Sequence, residues 1–203
     1  MMIRNSTLGI LFFIITLIVV TGCGKKSETV QGTFENFVRV FQNNDDRSAT
    51  FDYLDWDAIY QMAIPRYQRE GINNGTELRK SREEFLRDPG TAMINRMFRQ
   101  FRNHGKEIPQ FVGLSEEERK EKENLMIERN NKLFQDRKAK DKSKKFVLLN
   151  VHIEGDKATG EVQIMDPDPN SRIKVKQEPI IFNKKNGKWL IVDSFSSSFG
   201  LLR

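Results

Sequence analysis

Residues 146–164 read FVLLNVHIEGDKATGEVQI, and here the apolar period changes from three or four residues to two. Val147, Leu149, Val151 and Ile153 alternate with Leu148, Asn150, His152 and Glu154, which predicts a strand with the first set facing inward. Gly155-Asp156 turns the chain, and Ala158, Gly160, Val162 and Ile164 repeat the inward pattern. Asp166 to Arg172 then loops into a third strand, Ile173 to Asn183. Asn186-Gly187 turns into a fourth, Lys188 to Asp193, where Trp189 and Ile191 alternate with Leu190 and Val192. Four short strands joined by short turns predict an antiparallel meander.

Upstream the period is helical. Val30, Phe34, Phe37, Val38 and Phe41 fall on one helix face, and Asn43-Asn44-Asp45-Asp46 stops it. A second helical stretch runs from Arg47 to Ile64 with Phe51, Leu54, Ile59 and Met62; Asp55 re-caps it and Pro65 lies near its end. After the turn at Asn73-Asn74-Gly75, Thr76 caps a short helix holding Leu78, Phe85 and Leu86. Asp88-Pro89 reads as an N-cap followed by proline at the first helical position. That helix has Ile94, Met97, Phe98 and Phe101 on one face and Arg96, Arg99 and Arg102 on another, with Gly105 able to end it. Ser115 and Glu118 form a capping-box signature for a charged, solvated helix over 116–139, and Asp136 to Lys145 is expected to fray into a basic linker. Helices first and strands after predict an α+β class, the N-terminal helices packed on one face of the C-terminal sheet. Residues 30–203 are expected to form a single domain with a charged helical insertion near 114–145.

The first residues, MMIRNSTLGILFFIITLIVVTGCGKK, have another character. Arg4 is followed by an apolar run from Leu8 to Val20, then by Val20-Thr21-Gly22-Cys23 with the sole cysteine of the chain. This is the order of an export signal. The tetrapeptide resembles the lipobox of bacterial lipoproteins, which implies cleavage of residues 1–22, lipidation of Cys23 and a tether over 23–29. Gly24 in place of an aspartate implies the outer membrane where the organism has one. The competing readings are an uncleaved anchor, although Leu8 to Gly22 falls short of the ~20 apolar residues of a span, and secretion without lipid, which would leave an odd free thiol. Two or more acyl chains hold a protein stably on a bilayer where one holds it marginally.

The helix around Phe34–Phe41, the hairpin Ile153-Glu154-Gly155-Asp156-Lys157-Ala158 and the strand Gly187-Lys188-Trp189-Leu190-Ile191-Val192 together resemble the nuclear-transport-factor-2-like superfamily, a cystatin-like, cone-shaped α+β fold. The resemblance implies a concave sheet face able to hold a ligand, in a family that includes both enzymes and accessory domains. Residues 66–145 depart from its compact pattern with their long charged section.

Removing 22 of 203 residues leaves 181, enough for one domain with a real core. The net charge of +6 reads first as a generically basic surface; a specific partner of an exported chain would be anionic headgroups or envelope polymers before nucleic acid. With Cys23 lipidated, no thiol remains for a disulfide, redox motif or metal site. His104 sits at a helix end, and His152 lies opposite the apolar strand face. Asp166, Asp168 and Asn170 resemble the start of a calcium loop, but Ser171 stands where glycine is required and Gln177 where glutamate is. Asp52, Asp55 and Asp57 are read as caps and surface residues. No Gly-rich phosphate loop, serine nucleophile motif or paired-histidine metal motif is present, so no cofactor and no metal are expected. The Arg96, Arg99, Arg102 stripe reads first as a solvated basic helix face, and otherwise as the candidate contact with an anionic surface. The expected function is a lipid-anchored, non-catalytic domain binding a small apolar ligand or an envelope partner through the concave sheet face. The alternatives are an enzyme using His152 and a structural spacer built on the charged helix.

Overall fold

The computed structural model describes residues 29–103, 105 and 107–193. Cys23 and the whole signal stretch, and also His104 and Lys106, lie outside the described residues. Among the described residues six α-helices occupy the N-terminal part and an open four-stranded antiparallel sheet the C-terminal part, so the α+β class stands. The helices are α1 (Val30–Asn43), α2 (Trp56–Met62), α3 (Ile64–Arg69), α4 (Gly75–Arg87), α5 (Pro89–Asn103) and α6 (Glu116–Ser143). The strands β1 (Lys145–Glu154), β2 (Lys157–Met165), β3 (Val175–Lys185) and β4 (Lys188–Asp193) lie side by side in chain order, the meander expected from the turns.

The Thr29 hydroxyl caps α1 by accepting from the Gly32 N–H, and Phe34, Phe37 and Phe41 are all buried as their spacing predicts. They pack on the inward face of the sheet, where cross-strand partners share a side: Leu148 opposite Val162, Gly160 opposite Ile180, Phe182 opposite Ile191. Phe41 meets Phe146 edge-on with ring centroids 6.2 Å apart. The open edge of β4 is occupied by Leu54, which bridges to Ile191 in parallel, and the Asp55 N–H donates to the Ile191 carbonyl at 2.9 Å. Such an edge is a hazard for pairing with other chains, and this contact covers part of it.

The inward face of β1 differs from the simple alternation. The register of β1 against β2 shifts between Leu149 and His152, and Asn150 has φ +53°. Asn150 and Val151 together oppose one residue, a β-bulge that flips the side on which successive residues lie. Leu148 is therefore buried, Val147 and Leu149 are half-buried on the other side, and Val151 and Ile153 are exposed. Asparagine tolerates the left-handed conformation better than most residues, so it serves at this position.

The helical stretch over 47–64 is divided. Arg47–Tyr53 is a 3₁₀ segment, the chain extends at Leu54, and Asp55 re-caps α2 by accepting from the Ala58 N–H. Pro65 lies in the first turn of α3 rather than near the end of a longer helix, and Met62 is exposed. The cap of α4 is Asn74, whose side chain accepts from the Glu77 N–H; Thr76 is already inside the helix. Asp88 caps α5, accepting from the Thr91 N–H at 3.1 Å, and Ser115 with Glu118 forms the full capping box of α6.

Residues 136–143 are helical rather than a frayed linker. α6 lies along α5, and its last turn is held by Asp141, which is fully buried. The Asp141 carboxylate accepts from Arg47 at 3.0 Å and from Lys144 at 2.9 Å, while the Gln42 amide donates to the Asp141 and Lys144 carbonyls. The charged helix is docked at its foot, not projecting as a detached arm.

Candidate functional site

α4, α5 and α6 enclose the two clefts on which the chemistry of this molecule concentrates. α5 and α6 approach closely at Gly90: a Cβ there would come within 2.5 Å of the Ile127 carbonyl, and its N–H donates to the Asn131 side chain at 2.8 Å. Phe85 of α4 meets Phe134 of α6 edge-on at 6.0 Å between centroids, and Phe98 of α5 stacks on Phe111 at 5.6 Å with the Arg119 guanidinium beside both rings.

The first cleft, about 740 Å³, is rich in arginine. Arg96, Arg99 and Arg102 all line it, so the stripe read on the sequence is one wall of a concave site and not a flat surface. Arg96 is half-buried and donates to Glu70 at 3.0 Å, while Arg99 and Arg102 are exposed. Opposite them stands Arg82 of α4, which the sequence reading missed. Its signal was present: Leu78, Arg82, Phe85 and Leu86 share the apolar face of α4, so an arginine stands on a buried stripe. Arg82 is 4% exposed, and its Nε and Nη2 have no hydrogen-bond partner. The Glu70 carboxylate lies 3.8 Å from Arg82, 3.0 Å from Arg96 and 3.6 Å from Arg66. One negative charge thus serves three guanidinium groups. Burial holds the pKa of Arg82 below its ordinary value, with Glu70 acting in the opposite sense.

The second cleft, about 420 Å³, opens on the other side of Phe85 and Arg96. Its walls are Met93, Met97, Leu133 and Phe134, with Arg47, Arg96 and Arg137 around them, and no carboxylate lines it. Leu133 and Met93 are substantially exposed there, at 56% and 46%. Arg47, at its floor, is paired with Asp141 and lies over the Phe41 ring at 4.1 Å.

The remaining sequence candidates lie apart from both clefts. His152 is exposed on the sheet face away from the helices, opposite Thr159. The Asp166 carboxylate accepts from the Asp168 N–H and the Asp168 carboxylate from the Asn170 N–H, so these acids are engaged in shaping their loop. Asp52 pairs with Arg79 at 2.9 Å, and Asp55, almost fully buried, accepts from Lys185 at 2.6 Å and Asn183 at 3.3 Å. Burial works against ionisation of Asp55, but the hydrogen bonds from Lys185, the Ala58 N–H and Asn183 outweigh it and hold its pKa below the usual value. Among the described residues no His, Cys, Asp and Glu side chains gather as a metal site, and no helix is long and apolar enough to cross a membrane.

No protein-family profile, curated protein or solved structure matches this chain.

Proposed function

We propose that this chain is a lipid-anchored protein of the cell envelope, on the extracytoplasmic side of its membrane. Its folded part is a non-catalytic binding domain that takes a small amphipathic acid. The anchor reading rests on the Val20–Cys23 tetrapeptide behind its apolar run. The binding reading rests on one observation: the Met93, Met97, Leu133 and Phe134 groove has apolar walls, three arginines and no carboxylate. Its volume falls in the range of about 300–1,000 Å³ usual for small-molecule sites. Methionine suits such a wall because its unbranched, polarisable chain adapts to the shape of an occupant. The inward face of the sheet is a weaker candidate, since Val162, Ile180, Phe182 and Ile191 are sealed there beneath α1 and Trp56. An enzyme centred on His152 has less support, because that imidazole lines neither cleft. The cone-shaped superfamily likeness remains part of this proposal at the level of architecture, helices over one face of an open sheet.

Calorimetric titration of the full chain with decanoate and with the uncharged decanol tests the groove. Decanoate is expected to bind, decanol at least tenfold more weakly, and Leu133→Asp to abolish decanoate binding. Leu133 is exposed enough for that substitution to leave the fold intact. Absence of decanoate binding, or equal binding of the alcohol, would refute the reading. For the anchor, intact mass of membrane-extracted protein should begin at Cys23 and include acyl chains, both lost in Cys23→Ala. A mass retaining residues 1–22 in the wild type would refute it.

A further inference from the structure

Among the described residues two arginines are buried to the same degree, and both have an ion-pair partner, but only Arg47 is hydrogen-bonded to its carboxylate. Arg47 donates to Asp141 at 3.0 Å. Arg82 is ion-paired with one oxygen of Glu70 at 3.8 Å, beyond hydrogen-bond distance, and the other oxygen of that carboxylate accepts from Arg96 at 3.0 Å. A guanidinium stays protonated under all ordinary conditions, so Arg82 does not escape the cost of burial by losing its charge. Its free donors need an acceptor.

The cleft wall opposite Arg82 is cationic as well. Among the cleft's charges, Arg119 is matched by Glu123 at 3.2 Å and Arg96 by Glu70. Asp88 is engaged at the cap of α5. Arg82 then shares Glu70 with Arg96 and Arg66, and Arg99 and Arg102 share the cleft with Glu84, an exposed residue. Several forked donors converging on one concavity match the oxygens of a tetrahedral oxyanion, which accepts on all sides, better than a single carboxylate.

We infer that the cleft between α4 and α5 is a binding site for a phosphate-type oxyanion, either free or as a phosphorylated headgroup, with Arg82 at its base and Arg99 and Arg102 at its mouth. This site is separate from the proposed apolar groove, although Phe85 and Arg96 border both. Phosphate seated there supplies the acceptors that Arg82 lacks and offsets the excess positive charge around Glu70.

The test uses the full chain in non-ionic detergent, in a buffer free of phosphate and sulfate, with ionic strength held constant by chloride. Inorganic phosphate is titrated while the thermal midpoint and the Arg82 Nε–H resonance are followed. The expected result is a saturable rise in midpoint with a shift of that resonance, both absent in Arg82→Met. Arg99→Gln combined with Arg102→Gln, both exposed, should weaken the response several-fold, and this variant serves should Arg82→Met not fold. Vesicles of phosphatidylglycerol and of phosphatidylcholine form the second arm. Binding to the former alone, lost with Arg82→Met, would identify a lipid headgroup as the source of the same chemistry. No saturable response to either phosphate or phosphatidylglycerol would overturn the inference, as would an equal response of Arg82→Met. Leu133→Asp should respond to phosphate as the wild type does, which separates failure of this inference from failure of the apolar-groove reading.

Discussion

The half built from α1, α2 and the sheet and the half built from α4, α5 and α6 are assembled on different principles. In the first, one hydrophobic cluster runs from Val30 to Ile191, and its interior is aromatic and aliphatic. In the second, Ile94, Ile108 and Phe111 are buried outside that cluster, and the helices meet around arginines, paired rings and two open clefts. Apolar burial contributes roughly 25 cal/mol for each Å² removed from water, so the first half is where stability resides. The second half keeps the Arg82 guanidinium buried with no hydrogen-bond partner at Nε or Nη2, and lines a cleft with exposed Met93 and Leu133. A buried guanidinium without hydrogen bonds at those donors is costly to stability. The contrast teaches where to look for function: in the arginine-lined helices, not on the sheet.

The largest effect that would sharpen this contrast is expected at Phe37, which is fully buried under α1. Phe37→Ala should destabilise the protein by about 3–5 kcal/mol in denaturant unfolding, through lost burial and a residual cavity. A loss below about 1 kcal/mol would mean the core is not centred there. Gly90→Ala should come next. Alanine ordinarily favours a helix interior by about 1 kcal/mol over glycine. Here its Cβ would meet the Ile127 carbonyl at 2.5 Å, so α5 and α6 must part. Overpacking of this kind costs about 1–3 kcal/mol, and decanoate binding should weaken with it. Stability unchanged or raised would break the account of how the second half closes.

A smaller effect concerns pH. The folded-state pKa of Asp55 is depressed, so its stabilising contribution is fully present above the unfolded carboxyl value of about 3.9 and is lost as pH falls through the folded value. Wild-type stability should drop as pH is lowered below about 4. Asp55→Asn should start less stable at neutral pH and show a flatter profile in that acid range. Identical slopes in the two proteins would exclude Asp55 as a contributor.

Much of the architecture is legible in the sequence because local signals and tertiary packing agree. The phenylalanine spacing of α1, the Asp88-Pro89 start of α5, the Ser115/Glu118 box and the turn at Asn186-Gly187 each act through a mechanism contained within a few residues. Failures occur where a distant partner decides. The bulge at Asn150 depends on pairing with β2, so strict alternation assigns Val147 and Leu149 to the wrong side. Residues 136–143 read as a charged tail until Arg47, ninety-four positions earlier, is seen to bury Asp141. For the site, Arg96, Arg99 and Arg102 were visible as a stripe, but its concavity comes from α4 and α6. Arg82 does not stand out in the sequence because one arginine among Leu78, Phe85 and Leu86 does not break an amphipathic pattern.

The two buried arginines give the most direct test of the central claim, that the helical half keeps Arg82 for binding and not for stability. Arg47→Met and Arg82→Met should be unfolded in denaturant side by side, without phosphate or sulfate. Arg47→Met takes one ionic partner from the buried Asp141 carboxylate, leaving Lys144 beside it, and should lose about 3 kcal/mol. Arg82→Met removes a buried charge whose Nε and Nη2 have no hydrogen bond, and leaves Glu70 paired with Arg96 and Arg66, so it should be as stable as the wild type or more so. An Arg82→Met protein destabilised as strongly as Arg47→Met would make Arg82 a structural residue and contradict the account.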